Sequence, residues 1–220
     1  MRINKFIASH TRLSRRAADK AIESGRVLVN GHPPQPGQDV SEQDVLTIDG
    51  HTVSAAPEIQ TVLFNKPAGI VVSSEGQGHH TIYDVLSSEF RHLNPVGRLD
   101  KDSSGLLLLT NDGDLAHRLT HPSFQKIKVY ELMLDKPLEE QHRRAITEGG
   151  VTLTDGVSKL GLTRLSNDFT WRITMHEGRN RQIRRTFDAL GYRVIQLHRT
   201  QFGEYTLNDL PSGATKSVNS

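Results

Sequence analysis

The sequence predicts an α+β protein in two parts, a small basic helical module followed by a larger part built mainly of strands. Three features predict it. Residues 1–30 carry seven basic against two acidic side chains, set among apolar residues at helical spacing. Residues 31–60 contain no Lys or Arg at all. From residue 61 onward, apolar runs of strand length recur between Gly, Pro, Asn and Asp, interrupted by helical patterns without regular βαβ alternation.

The chain of 220 residues has room for one ordinary domain and a small one. It has no cysteine, and no apolar stretch approaches the roughly twenty residues that span a bilayer. Its start, Met1-Arg2-Ile3-Asn4-Lys5, lacks the apolar segment of a signal peptide. These features predict a soluble, cytoplasmic protein that owes nothing to disulfides or a membrane. The net charge of +2 is unremarkable, so only its distribution is informative.

Ile3, Phe6 and Ile7 predict a first helix. Ser14 can cap a second, whose Ala17, Ala18, Ala21 and Ile22 form a narrow apolar stripe ended by Gly25. Arg2, Lys5, Arg15, Arg16 and Lys20 are then left facing outward. Arg26 leads into a short strand, Val27 to Val29, and an Asn30-Gly31 turn. A basic helix pair is either a solvated face or an electrostatic footprint for nucleic acid. The order Arg2-Ile3-Asn4-Lys5-Phe6-Ile7, Leu13-Ser14-Arg15-Arg16-Ala17-Ala18 and Ile22-Glu23-Ser24-Gly25-Arg26-Val27-Leu28-Val29-Asn30-Gly31 resembles the alpha-L RNA-binding domain named after a ribosomal small-subunit protein. The resemblance covers about the first fifty residues and implies that the basic face rides on RNA phosphates. The Pro33-Pro34 and Pro36-Gly37 cluster departs from the usual shorter turn.

A strand and turn at Val45 to Gly50 precede a linker around Ala55-Ala56-Pro57. Strands are expected at Val62 to Phe64, Ile70 to Ser73, Leu106 to Thr110, Lys128 to Leu134, Leu160 to Leu165, Phe169 to Met175 and Val194 to Leu197. Helices are expected at Thr81 to Ser87, Asp114 to Thr120, Leu138 to Thr147 and Asn180 to Leu190. Phe169, Trp171, Ile173 and Met175 alternate with Thr170, Arg172, Thr174 and His176, the pattern of a strand with one buried face. In the last helix Ile183, Phe187 and Leu190 form the buried stripe and Gly191 supplies the stop. Arg179, Arg181, Arg184 and Arg185 are then divided between RNA, the domain itself and solvent.

Asp100 needs an explanation, because it stands between Arg98 and the apolar run Leu106-Leu107-Leu108-Leu109. Either Gly97 to Asp102 is a wet turn, or a carboxylate is held there against a desolvation cost of several kcal/mol. Gly97-Arg98-Leu99-Asp100, Gly105-Leu106-Leu107-Leu108, Thr110-Asn111-Asp112-Gly113, Lys128-Val129-Tyr130 and Gly178-Arg179-Asn180-Arg181-Gln182-Ile183-Arg184-Arg185 together resemble the pseudouridine synthases of the RsuA group, which modify ribosomal RNA. Asn65-Lys66-Pro67-Ala68-Gly69 and Leu197-His198-Arg199 support it. Thr186 and Ser103-Ser104 depart mildly from the pattern, and no arginine follows Leu210-Pro211-Ser212-Gly213.

The resemblance implies an alpha-L domain over residues 1–54, a linker over 55–60 and a catalytic domain over 61–220 with a central mixed, largely antiparallel sheet flanked by helices. It implies isomerisation of uridine to pseudouridine in ribosomal RNA or a subunit precursor, without cofactor or metal, by a protein expected to be monomeric. Asp100 would attack the sugar or remove a ribose proton, Arg184 would be its charge partner, Tyr130 would stack on the flipped base and Leu197 would wall the uracil pocket. Asp102 is read as structural. Lys66, Arg98, Arg179 and Arg181 are the local phosphate contacts, with the N-terminal basic residues adding distant ones. An RNA-binding protein of the same fold without catalysis is the competing reading, and intact Asp100, Tyr130 and Arg184 favour the enzyme. A nucleoside hydrolase would usually call for a second catalytic carboxylate, which the motifs do not supply. His117 and His121 have the spacing of paired ligands, but they lack an HExxH pattern and are followed by Pro122.

Overall fold

A computed structural model describes residues 1–11, 13–53 and 56–218. Ser54 and Ala55, where the expected first domain meets the linker, lie outside the described residues, as does Arg12 of the basic N-terminal count. The chain divides into two compact units, Met1–Ile59 with Asn111–Gly113, and Gln60–Thr110 with Asp114–Ser220.

The first unit opens with α1, Ile3–His10, and α2, Arg15–Glu23. The Ser14 hydroxyl caps α2 by accepting from the Ala17 N–H at 3.1 Å, and Gly25 takes a left-handed φ of +71° beyond its end. Ile3, Phe6, Ile7, Ala18 and Ala21 pack with Val27, Val29, Val40 and Leu46 in one small core. A three-stranded antiparallel sheet follows, β1 (Val27–Val29), β2 (Leu46–Ile48) and β3 (His51–Thr52). Asn30 and Gly31, at φ +51° and +82°, make the expected turn, closed by reciprocal hydrogen bonds between Val29 and His32.

The second unit is built on one sheet. Its strands are β4 (Thr61–Lys66), β5 (Asn94–Val96), β6 (Ser104–Thr110), β7 (Lys128–Leu134), β10 (Gly161–Arg164), β11 (Thr170–Met175), β12 (Val194–Phe202), β13 (Tyr205–Thr206) and β14 (Thr215–Ser217). A separate hairpin joins β8 (Val151–Leu153) to β9 (Gly156–Ser158). The main order is β10-β11-β7-β12-β6-β4-β14, and every pairing is antiparallel except β12 with β6. The helices are α3 (Ile82–Val85), α4 (Gly113–Thr120), α5 (Glu140–Arg144) and α6 (Gln182–Asp188). No helix among the described residues is long and apolar enough to cross a membrane.

The leucine run is explained by burial on both faces of β6. Leu107 and Leu109 join the larger core with Phe64, Leu132, Trp171 and Ile173, while Leu106 and Leu108 join a second cluster with Val96, Leu119 and Phe202. The β11 alternation holds for Trp171, Ile173 and Met175, whereas Phe169 precedes the strand and is exposed. Ile70 to Ser73 is not a strand. Val71 bonds only to the turn at His80 and Ile82, so no ladder extends past it. The helix expected from Leu138 starts at Glu140 and continues as a π turn, Ala145–Gly149, ended by Gly150 at φ +79°. The polar Thr186 in the buried face of α6 is satisfied internally, donating to Gln182 O at 2.8 Å and approaching Ser158 Oγ at 2.7 Å.

Candidate active site

The parallel contact between β6 and β12 positions the site. Ser104 pairs with His198 and Gly105 with Arg199, so the loop entering β6 lies beside the middle of β12. Gly105 is required there: at φ +105°, a Cβ on it would lie 2.3 Å from the Arg199 carbonyl oxygen. The loop before it, residues 97–103, carries Asp100 into a cavity of about 1800 Å³ within the second unit. Leu99, 7 % exposed, anchors the loop in the core.

Lys66 fastens this loop from beneath. Its ammonium donates to the carbonyls of Pro67 at 2.9 Å, Asp100 at 3.2 Å and Ser103 at 2.8 Å. The residue is 0 % exposed, and burial pushes its pKa down to about 8 against the opposing pull of Asp100 and Asp102. The expectation that Lys66 meets RNA phosphate is therefore corrected. Its three donors are used by the backbone, and the side chain does not reach solvent.

The Asp100 carboxylate is half-buried, at 30 % side-chain exposure, and its ion-pair contact is Arg181 Nη1 at 3.7 Å. The sequence reading placed Arg184 there, and the geometry differs. Arg184 is spent on the loop and on β12: Nη1 donates to Val194 O at 2.8 Å, Nη2 to Asp102 O at 2.9 Å, and Nε lies 3.3 Å from Asp102 Oδ2. Arg181 sits at φ +45° immediately before α6. This turns its guanidinium toward Asp102, with bonds of 3.0 and 3.1 Å, and toward Asp100. Asp102 is the hub that holds both arginines. Hydrogen bonding to Arg181, then the charge of Arg184, keep its pKa below the usual carboxylate range despite partial burial. Burial is the main reason that the Arg184 pKa is lowered.

Across the cavity, Tyr130 on β7 is 8 % exposed and Leu197 on β12 is 6 % exposed, and both line the wall. The register pairs Tyr130 with Arg199 and Leu132 with Leu197, which sets Leu197 diagonally beside Tyr130. Asp100, Tyr130, Arg184 and Leu197 thus line one cavity.

The basic candidates divide. Arg98 is exposed on the cavity rim and makes no hydrogen bond or ion pair with any described residue. Arg179 is corrected from phosphate ligand to internal brace: Nη1 donates to Asp155 Oδ1 at 3.0 Å and Nη2 to Val157 O at 2.9 Å, clamping the β8–β9 hairpin. Arg181 is engaged with both aspartates. Arg15, Arg16 and Lys20 are exposed on α2 and unpaired among the described residues. Arg2 is exposed but donates to Gly37 O, and Lys5 is half-buried. Arg26 is occupied by Asp49, its Nε donating at 2.7 Å, so it is not free for phosphate. Two basic cavity residues within the quoted motifs received no role from sequence. Lys128 and Arg199 stand in the quoted motifs, but only the fold turns them inward. His117 and His121 pack ring to ring at 4.9 Å and each meets Phe124 edge-on.

A family model described as RNA pseudouridylate synthase matches residues 60–189, and an S4 domain model matches residues 1–46. The chain is 36% identical over 220 residues to the dual-specificity RNA pseudouridine synthase RluF of Escherichia coli, covering 99% of this chain and 75% of that one. It is 35% identical over 222 residues to ribosomal small subunit pseudouridine synthase A of Pasteurella multocida, with 99% and 96% covered. It is 34% identical over 224 residues to ribosomal large subunit pseudouridine synthase B of Bacillus subtilis, with 99% and 91% covered. A crystal structure of a pseudouridylate synthase superposes with a TM-score of 0.71 at 33% identity, covering 100% of this chain and 96% of that one. The chain therefore belongs to the RNA pseudouridylate synthase family.

Proposed function

We propose that this protein converts a uridine of ribosomal RNA to pseudouridine, with Asp100 as the reacting carboxylate. The observation that carries the reading is the contrast between two neighbouring aspartates. Asp102 is bidentate with Arg181 and bound by Arg184, whereas Asp100 is held by its backbone and keeps its carboxylate on the cavity with one cation at 3.7 Å. A carboxylate fixed by its main chain and left with free lone pairs suits attack on a sugar carbon, or removal of a ribose proton.

In either route the C1′–N1 bond breaks with its electron pair going to uracil. The base turns, C5 bonds to C1′ as the Asp100–C1′ bond breaks on the first route or as C2′ takes back its proton on the second, and the C5 proton is lost as N1 gains one, so atoms and electrons balance without a redox partner. Tyr130 supplies a ring face for the base and Leu197 an apolar wall. The target uridine reaches them unpaired or extruded, at an unstacking cost of about a few kcal/mol. Of the cations singled out from the sequence, Arg98 at the rim and Arg15, Arg16 and Lys20 on α2 are exposed and free for phosphate.

The test is to incubate the protein with deproteinised ribosomal RNA and with each subunit precursor, then map pseudouridine chemically. Wild type is expected to modify a discrete uridine, and Asp100→Asn to bind RNA while modifying none. Tight RNA binding by the wild type without modification of any RNA would establish the non-catalytic reading instead.

A further inference from the structure

Arg199 is a buried cation with most of its donors unused. The residue is 2 % exposed, and among the described residues it forms no ion pair. Its Nε donates to Leu106 O at 2.8 Å, which ties β12 to β6. Nη2 is buried without a hydrogen-bond partner, and Nη1 donates to no described residue either. Its guanidinium carbon lies 4.8 Å from the ring centre of Phe202 and 6.0 Å from that of Tyr130, its cross-strand partner. Arg199 lines the same cavity as Asp100.

A guanidinium without a carboxylate, buried with unused N–H groups, is costly unless something completes it. The two aromatic rings supply part of the compensation through their electron-rich faces. They do not accept the in-plane N–H groups. A strand tie alone would need only the Nε bond, and an apolar side chain would fill the volume without the cost. What the arrangement suits is negative charge that arises in the cavity during the reaction, next to Tyr130.

We infer that Arg199 stabilises the negative charge on uracil between cleavage of C1′–N1 and formation of C1′–C5, through the uncompensated charge of its guanidinium over the Tyr130 ring. The inference rests on the proposed isomerisation, but not on the route taken by Asp100. Whether the carboxylate attacks C1′ or removes the C2′ proton, the electron pair of the broken bond leaves on uracil, delocalised over N1, O2 and O4. The charge is discharged when C5 forms the new bond, and C5 then loses its proton as N1 gains one.

The test compares glycosidic cleavage in single turnover on target RNA containing uridine and on the same RNA containing 5-fluorouridine, whose base departs more easily as an anion. Arg199→Met is expected to slow cleavage of the uridine target by about a hundredfold, the scale of losing one preorganised electrostatic stabiliser of developing charge. The loss on the fluorinated target is expected to be about tenfold smaller, with RNA affinity within about threefold of wild type. Arg199→Lys, which keeps the charge but not the fork, is expected to fall between, again losing less on the fluorinated target. If Arg199→Met does not fold, the Lys variant carries the comparison alone. Equal losses on both bases, or a loss of RNA affinity parallel to the loss of rate, would overturn the inference. Wild-type protein that leaves both RNAs intact would count against the proposed isomerisation itself, and so separates the two failures.

Discussion

Lys66 and Arg199 are nearly inaccessible cations, and their surroundings assign them opposite tasks. The three Lys66 donors all end on carbonyls, two of them in the loop that carries Asp100. With a folded-state pKa of about 8 against an ordinary 10.5, the folded chain loses this proton before the unfolded chain does. Between those values the unfolded state binds more protons, so as far as this group is concerned raising the pH favours folding. The loop behaves differently, because a neutral amine has only two N–H groups for three carbonyls. The expected outcome is a fall in kcat/KM as pH rises through about 8, without a matching fall in thermal stability. Lys66→Met should lose that alkaline limb, and a displaced Asp100 should lower turnover by about a hundredfold. A pH profile with parallel melting curves checks both. Sequence did not disclose this task, since a lysine in Asn65-Lys66-Pro67-Ala68-Gly69 reads as a phosphate contact and the acceptors lie up to 37 positions away.

At the scale of elements, the site depends on how closely β6 and β12 approach. Gly105→Ala would place a methyl 2.3 Å from Arg199 O and 2.5 Å from Arg199 N, both backbone atoms, at a φ of +105°. Neither strand can yield without shifting the Asp100 loop or the Arg199 guanidinium. A loss above about 3 kcal/mol is expected in urea unfolding, in the range of strained positions buried in a core. Strands such as β6 and β7 were legible because they are long, β6 as an apolar run covered on both faces and β7 as an alternation of buried and half-buried residues. β5, β8, β9, β13 and β14 were not, because two or three residues such as Asn94-Pro95-Val96 carry little local signal and owe their state to a distant partner. The arginines at and just before α6 show the same limit within the site. Spacing established that residues 179, 181, 184 and 185 point in different directions. It did not establish that the left-handed residue before the helix would turn Arg181 toward Asp100 while Arg184 met Asp102.

Over the whole molecule, the net charge of +2 conceals a division of labour. Many cations near the cavity are already committed: Arg179 and Arg185 to Asp155, Arg181 and Arg184 to Asp102, Lys66 to the backbone. They set the geometry of the site and add little free charge for RNA. On α2, by contrast, Arg15, Arg16 and Lys20 are exposed and unpaired among the described residues. Long-range attraction to an RNA backbone should therefore depend more on the N-terminal unit than on the arginine-rich motif. Replacing all three by Ala is expected to weaken RNA binding and to flatten its salt dependence, by about 0.7–0.9 in the slope of log K against log salt for each phosphate no longer neutralised. The loss should appear in KM more than in kcat, because a saturating RNA concentration restores occupancy of a cavity whose residues are untouched. Arg179→Ala should behave in the opposite way. Removing it unclamps the β8–β9 hairpin and leaves Asp155 with Arg185 alone, so stability and kcat fall while the salt slope hardly changes. Titrating RNA binding across salt concentrations for the two variants side by side decides between this division and a phosphate-binding Arg179.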